Sequence, residues 1–311
     1  MNRLIVIVGP TAVGKSKFAF QLAQRLQGEI ISGDSMCIYR GLDIATAKPS
    51  LEERQKIRHH LIDIKTPTES FSVVEFQNLA TAAISDVNSR GRLPILVGGT
   101  GLYIQALLEG FQFSSTPKTT MRDALLTANE NGSVEAFQQL QQIDPVSAAR
   151  IHPNDHKRII RALEVAATEQ QPISQSKWST SAVALLFDCI VLGLTMDRQR
   201  LYQRINSRVD QMIEAGLHKE ISTLIGSGFA ADSTALQAIG CKELVACIQG
   251  SMTLDDAARQ IKQSSRRYAK RQMTWFKRMP YIQWIDQQTD TSDQQILEII
   301  TRQVAEKFAI K

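Results

Sequence analysis

The run Gly9-Pro10-Thr11-Ala12-Val13-Gly14-Lys15-Ser16 fills every position of the phosphate-loop spacing G-x-x-x-x-G-K-[ST]. An apolar run, Leu4-Ile5-Val6-Ile7-Val8, leads in, and a helix-like run from Ser16 to Leu26 leads out. Strand, tight turn and helix in that order form the one context in which the spacing has mechanical meaning. The glycines let the backbone fold back so that successive N–H groups and the helix N-terminus face a single anion. Lys15 is suited to neutralising outer phosphates, and the Ser16 hydroxyl to a magnesium ion. The plain alternative is a glycine-bearing structural turn, which does not require the strand and the helix on either side.

The same alternation continues through the first 110 residues. Short apolar runs recur at Glu29-Ile30-Ile31, Leu61-Ile62-Asp63-Ile64 and Pro94-Ile95-Leu96-Val97, with helix-like stretches between them. This pattern predicts a parallel sheet covered by helices on both faces. In such sheets ligands collect at the carboxyl ends of the strands. The turns Ser32-Gly33-Asp34-Ser35 and Gly98-Gly99-Thr100-Gly101 are therefore expected beside the phosphate loop, with Asp34 and Thr100 in one cleft.

After Phe113 the texture changes. From about Thr119 to Ala184 helix signatures replace strands, including Ser133-Val134-Glu135-Ala136 and a start at Pro153-Asn154-Asp155, where Asn or Asp can cap a first turn. Gln170 to Thr180, rich in Gln, Ser and Thr, reads as a loop. The apolar run Cys189 to Leu194 predicts a strand returning to the sheet, with helices from there to the end. The fold class expected is α/β, a P-loop NTPase-like parallel sheet core flanked by helices, with an all-helical insertion domain. The core takes residues 1–113 and 189–311, and the insertion 114–188.

Arg259 to Arg278 carries eight Lys or Arg residues and no acid. At helical spacing Arg259, Lys262, Arg266 and Lys270 form one stripe and Arg267, Arg271 and Arg278 another. Ile261, Tyr268 and Trp275 recur at period seven on an apolar side. A solvated charged face is the plain alternative. Without acids for i,i+4 pairing, however, the charges repel one another unless phosphates sit nearby. Lys157-Arg158-Ile159-Ile160-Arg161 is a weaker cluster of the same kind. The net charge of +5 modestly favours a polyanionic partner.

Other chemistries lack their residues. The four cysteines form no C-x-x-C pair and the five histidines no H-E-x-x-H, so neither a zinc site nor a disulfide framework is indicated. Free thiols, and an apolar N-terminal run too short for a signal or a membrane span, lead us to expect a cytoplasmic protein without a membrane partner. A motor or GTPase would show an apolar strand ending in a magnesium-binding Asp, and Leu61-Ile62-Asp63, beside a Pro67 turn, is a weak match. Asp34, directly after a strand end, is the residue best placed to act. Its plain alternative is a helix cap or Asx-turn, and that of Thr100 a turn hydroxyl.

Together the phosphate loop, Asp34-Ser35-Met36, Tyr39-Arg40-Gly41-Leu42-Asp43-Ile44, Thr46-Ala47-Lys48-Pro49, Gly98-Gly99-Thr100-Gly101-Leu102-Tyr103, Arg161-Ala162-Leu163-Glu164 and Ala269-Lys270-Arg271-Gln272 resemble the bacterial tRNA dimethylallyltransferase family. The resemblance runs in order through nearly the whole chain. It implies that Gly9, Pro10, Thr11, Ala12, Val13, Gly14, Lys15 and Ser16 hold the pyrophosphate of dimethylallyl diphosphate and not ATP, although such loops are usually nucleotide- and ATP-binding. It also implies transfer of the dimethylallyl group to N6 of the adenosine just 3′ of the anticodon, in tRNAs reading codons that start with U.

The roles follow from the same resemblance. N6 of adenine is a poor nucleophile because its lone pair is delocalised, so a carboxylate that takes its proton assists attack. Asp34 is implied as that base, with Thr100 aligning N6. Lys15, a magnesium ion held partly by Ser16, and Arg266 are implied at the departing pyrophosphate. The adenine is flipped into a channel, and the insertion and the basic helix grip phosphates of the anticodon stem-loop. The implied tRNA contacts are Asp34, Ser35, Met36, Cys37, Thr100, Arg122, Lys157, Arg158, Ile159, Ile160, Arg161, Gln237, Ala238, Ile239, Gly240, Cys241 and Lys242. Cys37, Ala45 and Cys241 depart from the family's pattern, which often has Gln, Gly and Tyr there. A monomer is expected. An adenylate isopentenyltransferase, a small-molecule phosphate-loop kinase and a non-catalytic RNA-binding module, which would leave Asp34 and the loop idle, are the alternatives. The first has little use for the Lys157–Arg161 cluster, and the second requires nucleotide binding.

Overall fold

The computed structural model describes residues 1–113, 133–169, 172–175, 184–288 and 290–310. The chain divides into two compact units, Met1–Gly110 with Ala184–Lys311, and Phe111–Val183.

The larger unit is built on a six-stranded sheet. Its strands are β1 (Arg3–Val8), β2 (Glu29–Ser32), β3 (His59–His60), β4 (Pro94–Gly98), β5 (Asp188–Met196) and β6 (Ile282–Gln287). They lie in the order β3-β2-β4-β1-β5-β6, and every neighbouring pair is parallel. β1 is central, with Ile5 opposite both Ile95 of β4 and Ile190 of β5. Its residues alternate between two buried faces, the reason it reads as a continuous apolar run. Ile5 and Ile7 pack on Phe18 and Leu22 of the helix Lys15–Leu26 and on the C-terminal helix Asp293–Phe308. Leu4, Val6 and Val8 pack on Phe76 and Ile84 of the helix Val73–Ser89 and on Ile104 of the helix Gly101–Glu109.

Two expectations about strands need correction. The strand predicted at Leu61–Ile64 is displaced: β3 is His59–His60, and Leu61 and Asp63 have φ of 61° and 57°. The Asp63 carboxylate is drawn to Lys48 at 2.6 Å and Arg54 at 2.5 Å, and its N–H donates to the Cys37 carbonyl. Asp63 is thus committed to an ion-pair network and not to a magnesium site. The chain end is also not wholly helical. β6 was hidden because it is an edge strand with Gln283, Trp284 and Asp286 exposed and only Ile282, Ile285 and Gln287 buried, so it lacks a clean apolar alternation.

A second layer of helices, Arg198–Glu214, Leu217–Gly226, Cys241–Ile248 and Leu254–Phe276, encloses its own cluster with Ile38, Tyr39 and Leu42. Glu220 fixes the chain that follows β2, because its carboxylate accepts from the N–H groups of Asp43, Ile44 and Ala45. These are the orphan donors that open the short helix Asp43–Thr46.

The described part of the smaller unit is helical, with helices Ser133–Ile143, Pro145–Ala148 and His156–Glu169 and a short 3₁₀ turn, Ile173–Gln175. Asp155 accepts from Arg158 N–H ahead of the third helix. Ala136, Leu140, Ala148, Ile159, Ala162 and Leu163 form its core.

Candidate active site

The phosphate loop leaves the carboxyl end of β1 and takes left-handed φ values at Gly9 (142°), Ala12 (64°) and Gly14 (101°). At Gly9 a Cβ would collide with the carbonyl of Leu194, so β5 packs too close for any side chain there. Gly14 opens the helix Lys15–Leu26 without a side-chain cap, which leaves the first-turn N–H groups available to an anion. Ser16 is exposed at this end.

Lys15 turns back over the loop, and its ammonium donates to the Pro10 carbonyl at 2.7 Å. It lies in a cleft of about 830 Å³ that Asp34, Arg204, Arg208, Tyr268 and Gln272 also line. Burial pushes the Lys15 pKa down to about 7, assisted by the charge of Arg208 and opposed by that of Asp34. Burial lowers Arg208 as well, and the Asp34 and Cys37 side chains oppose it. Cations therefore outnumber carboxylates in the cleft, where Lys15, Arg204 and Arg208 stand with Asp34.

Asp34 follows β2. One carboxylate oxygen accepts from the Met36 N–H at 2.8 Å, so the residue does form an Asx-turn. The other oxygen takes no hydrogen bond among the described residues. The turn and a chemical role are thus compatible, since each uses a different lone pair. Thr100, at the end of β4, accepts from the Ser35 N–H at 3.2 Å and donates to the Ser35 hydroxyl at 3.4 Å. Burial together with the Asp34 charge pushes the Tyr268 phenol up to about 12, and the neighbouring Thr100 and Gln272 side chains oppose that rise. The turns after β2 and β4 are thereby tied together beside the loop.

Cys37 lines the cleft and is buried. Its thiol is pushed up to about 12, first by burial and then by Asp34, so it stays protonated and is no nucleophile. Ser35 and Met36 are half-buried beside it.

Other expected positions lie elsewhere. Arg266 does not line the cleft; it donates to the Asn206 side chain at 2.6 Å and its guanidinium lies 6.0 Å from the centre of the Tyr202 ring. Gln237 and Lys242 are exposed, while Gly240 and Cys241 are buried, Cys241 within the apolar cluster of the second helical layer. In the smaller unit Lys157 and Arg158 are exposed, whereas Ile159 and Ile160 are buried and Arg161 pairs with Glu164 at 3.0 Å. Arg122 lies outside the described residues.

The basic helix is also less naked than its sequence window suggests. Arg259 pairs with Asp256 one turn earlier, and Lys262 with Asp210 of the helix Arg198–Glu214 at 2.5 Å. Both acids fall outside the Arg259–Arg278 window, so a count within it found none.

The reading by motif missed Arg204, Arg208 and Gln272 as cleft residues. Arg200, Arg204 and Arg208 recur at i,i+4, which puts them on one helix face and was the available signal. Gln272 stood in the motif Ala269-Lys270-Arg271-Gln272 that carries the resemblance, but nothing in that motif gives its partner far away in sequence.

The family model for IPP transferase matches residues 37–279. The tRNA dimethylallyltransferase of Geobacillus kaustophilus is 50% identical over 312 residues, covering 100% of this chain and 98% of that protein. That of Anoxybacillus flavithermus is 49% identical over 309 residues, covering 99% and 97%. Among solved structures, a tRNA isopentenylpyrophosphate transferase from Bacillus halodurans superposes with a TM-score of 0.74 at 45% identity, covering 99% of this chain and 97% of that one. A eukaryotic dimethylallyltransferase acting on tRNA gives 0.84 at 30% identity, covering 100% and 81%.

Proposed function

This chain belongs to the IPP transferase family, and on that premise we propose that its cleft transfers a dimethylallyl group from dimethylallyl diphosphate to tRNA. The acceptor is N6 of the adenosine just 3′ of the anticodon, in tRNAs reading codons that start with U, and diphosphate is released. The observation that carries the site assignment is that Asp34 and Lys15 line one cleft, a carboxylate from one strand end and a loop cation from another.

The chemistry divides between them. As N6 attacks the allylic C1, the new C–N bond forms, the C1–O bond breaks, and the electron pair of that bond leaves with pyrophosphate. The unbonded oxygen of Asp34 accepts the N6 proton, and Thr100 aligns the amino group. Negative charge gathering on the leaving oxygen is met by the N–H groups of Gly14, Lys15 and Ser16 and by the cations of Lys15 and Arg208. Arg208 takes here the part the resemblance implied for Arg266, since it is Arg208 that shares the cleft with Lys15.

A magnesium ion fits the donor set. No group of three His, Cys, Asp or Glu that would hold a metal occurs among the described residues, but Mg²⁺ needs no such cage. It commonly takes substrate phosphate oxygens, waters and one or two protein oxygens, and the exposed Ser16 hydroxyl at the loop supplies one. When bound, the ion supplies charge neutralisation on the diphosphate.

The tRNA side is carried by charge. Lys157 and Arg158 of the insertion (114–188), and the exposed Arg267, Lys270 and Arg271 of the core (1–113 and 189–311), contact phosphates of the anticodon stem-loop, with Ser35, Met36 and Cys37 beside the flipped base. Among the described residues no helix is long and apolar enough to cross a membrane. The enzyme acts as a monomer in the cytoplasm, where its polymer substrate is.

Nucleoside mass spectrometry of unmodified tRNA, after incubation with the protein, dimethylallyl diphosphate and magnesium, tests the reading. The expected product is dimethylallyladenosine in tRNA digests. Product only on added free AMP, or ATP consumption without a prenylated nucleoside, would replace it with the adenylate-modifying or the kinase alternative.

A further inference from the structure

We infer that Gln272 makes this phosphate loop a diphosphate site by closing the part of it that a third phosphate would use. The inference rests on the reading of the loop as a pyrophosphate site and names the residue that sets its length preference.

A phosphate loop binds through its backbone N–H groups, so the donors still free define how much anion it can hold. At Pro10 and Thr11, where the loop leaves β1, none is free. Pro10 has no N–H, and the Thr11 N–H donates to the side-chain oxygen of Gln272 at 2.8 Å. The Val13 N–H is turned back on the Pro10 carbonyl at 3.4 Å. Lys15, which in such loops reaches the outer phosphates, is held to the same carbonyl. The donors without a protein partner, among the described residues, are those of Ala12, Gly14, Lys15 and Ser16, all beyond the occupied Thr11 N–H. That set matches a diphosphate seated over the helix N-terminus. A triphosphate extending back along the loop would meet a proline, an occupied N–H and a buried amide.

Gln272 is not free to move aside. It is buried, and its amide nitrogen donates to the Gly99 carbonyl at 3.0 Å. Gly99 is glycine for the same reason, because a Cβ there would collide with that nitrogen. On the other flank the buried Gln287, at the end of β6, donates to the Val13 carbonyl at 2.8 Å. Two glutamines from the last fifth of the chain thus set the loop's shape, and only Gln272 takes up a donor that an anion would otherwise use.

The test compares inorganic pyrophosphate with inorganic tripolyphosphate, each with magnesium, in displacing a fluorescent diphosphate from the full-length protein. The wild type is expected to favour pyrophosphate by at least about tenfold, and Gln272→Ala to shrink that ratio by about tenfold through a gain in tripolyphosphate affinity. Gln272→Met, which keeps the bulk but frees the Thr11 N–H, guards against a poorly folded alanine variant and should shift the ratio in the same direction. A wild type that binds neither anion would overturn the pyrophosphate reading itself. Equal binding of both anions by the wild type, or a ratio unchanged in a folded Gln272 variant, would leave that reading intact and overturn the role of Gln272.

Discussion

Asp210 on the helix Arg198–Glu214 meets the ammonium of Lys262 at 2.5 Å, so a cation in the middle of the basic helix already has its counter-ion. About two helical turns further along, Lys270 is exposed and makes no ion pair among the described residues. Removing Lys262 and Asp210 together should leave tRNA affinity near wild type, since a neutral pair is lost. Lys270→Ala should weaken binding and reduce the slope of log K against log salt by about one unit or less. A salt titration in which the double variant loses as much slope as Lys270→Ala would make Lys262 a phosphate ligand after all.

Asp34 can be divided into its two roles by the choice of substitution. Asparagine keeps an oxygen to accept from the Met36 N–H but cannot take a proton from N6. Both Asp34→Asn and Asp34→Ala should lower turnover by roughly 10²–10⁴ with tRNA binding nearly intact. If asparagine restores turnover to within a few-fold of wild type, the turn and not the base is what matters.

Lys15 links diphosphate binding to protons. Its pKa is lowered from 10.5 to about 7, chiefly by burial, so between these values the folded protein binds fewer protons at this site than the unfolded chain. Stability from this group therefore rises with pH across that window, and the contribution is lost as pH falls toward 7. An arriving diphosphate restores the charged form. Titration calorimetry at a pH between 7 and 10.5, in buffers of different ionisation enthalpy, should show proton uptake on pyrophosphate binding. Lys15→Ala should abolish it, and uptake that persists in that variant would assign the proton to another group.

Ser16 has no hydrogen-bond role in opening its helix, whose cap position is Gly14 and has no side-chain cap. Ser16→Ala should therefore leave stability within about 0.5 kcal/mol of wild type. It should instead raise the magnesium concentration needed for half-maximal turnover. An unchanged magnesium dependence would remove the hydroxyl from the metal.

The parts of this protein legible in its sequence are those set by short-range regularities. Leu4–Val8, Pro94–Val97 and Cys189–Leu194 were readable as strands because a central parallel strand is buried on both faces and must be apolar throughout. β6, at the edge, has no such requirement and went unread. Leu61–Ile64 looked like a strand by composition, but the pull of Lys48 and Arg54 on Asp63 bent it into left-handed turns. The loop came from its spacing together with the strand and helix on either side, and the place of Asp34 from the apolar run before it.

The sequence by itself therefore determined the central strands of the sheet, the phosphate loop and the carboxylate beside it, because each is encoded within a dozen residues. Tertiary structure alone decided which charges remain free. Asp210 and Asp256 lie outside the basic window that they neutralise. Arg208 and Gln272 reach the loop from about two hundred residues away or more, and Arg266 is turned toward Asn206 instead. A hydrogen bond or an ion pair acts over a few ångströms in space, and no periodicity along the chain records which distant segments folding will bring within that distance.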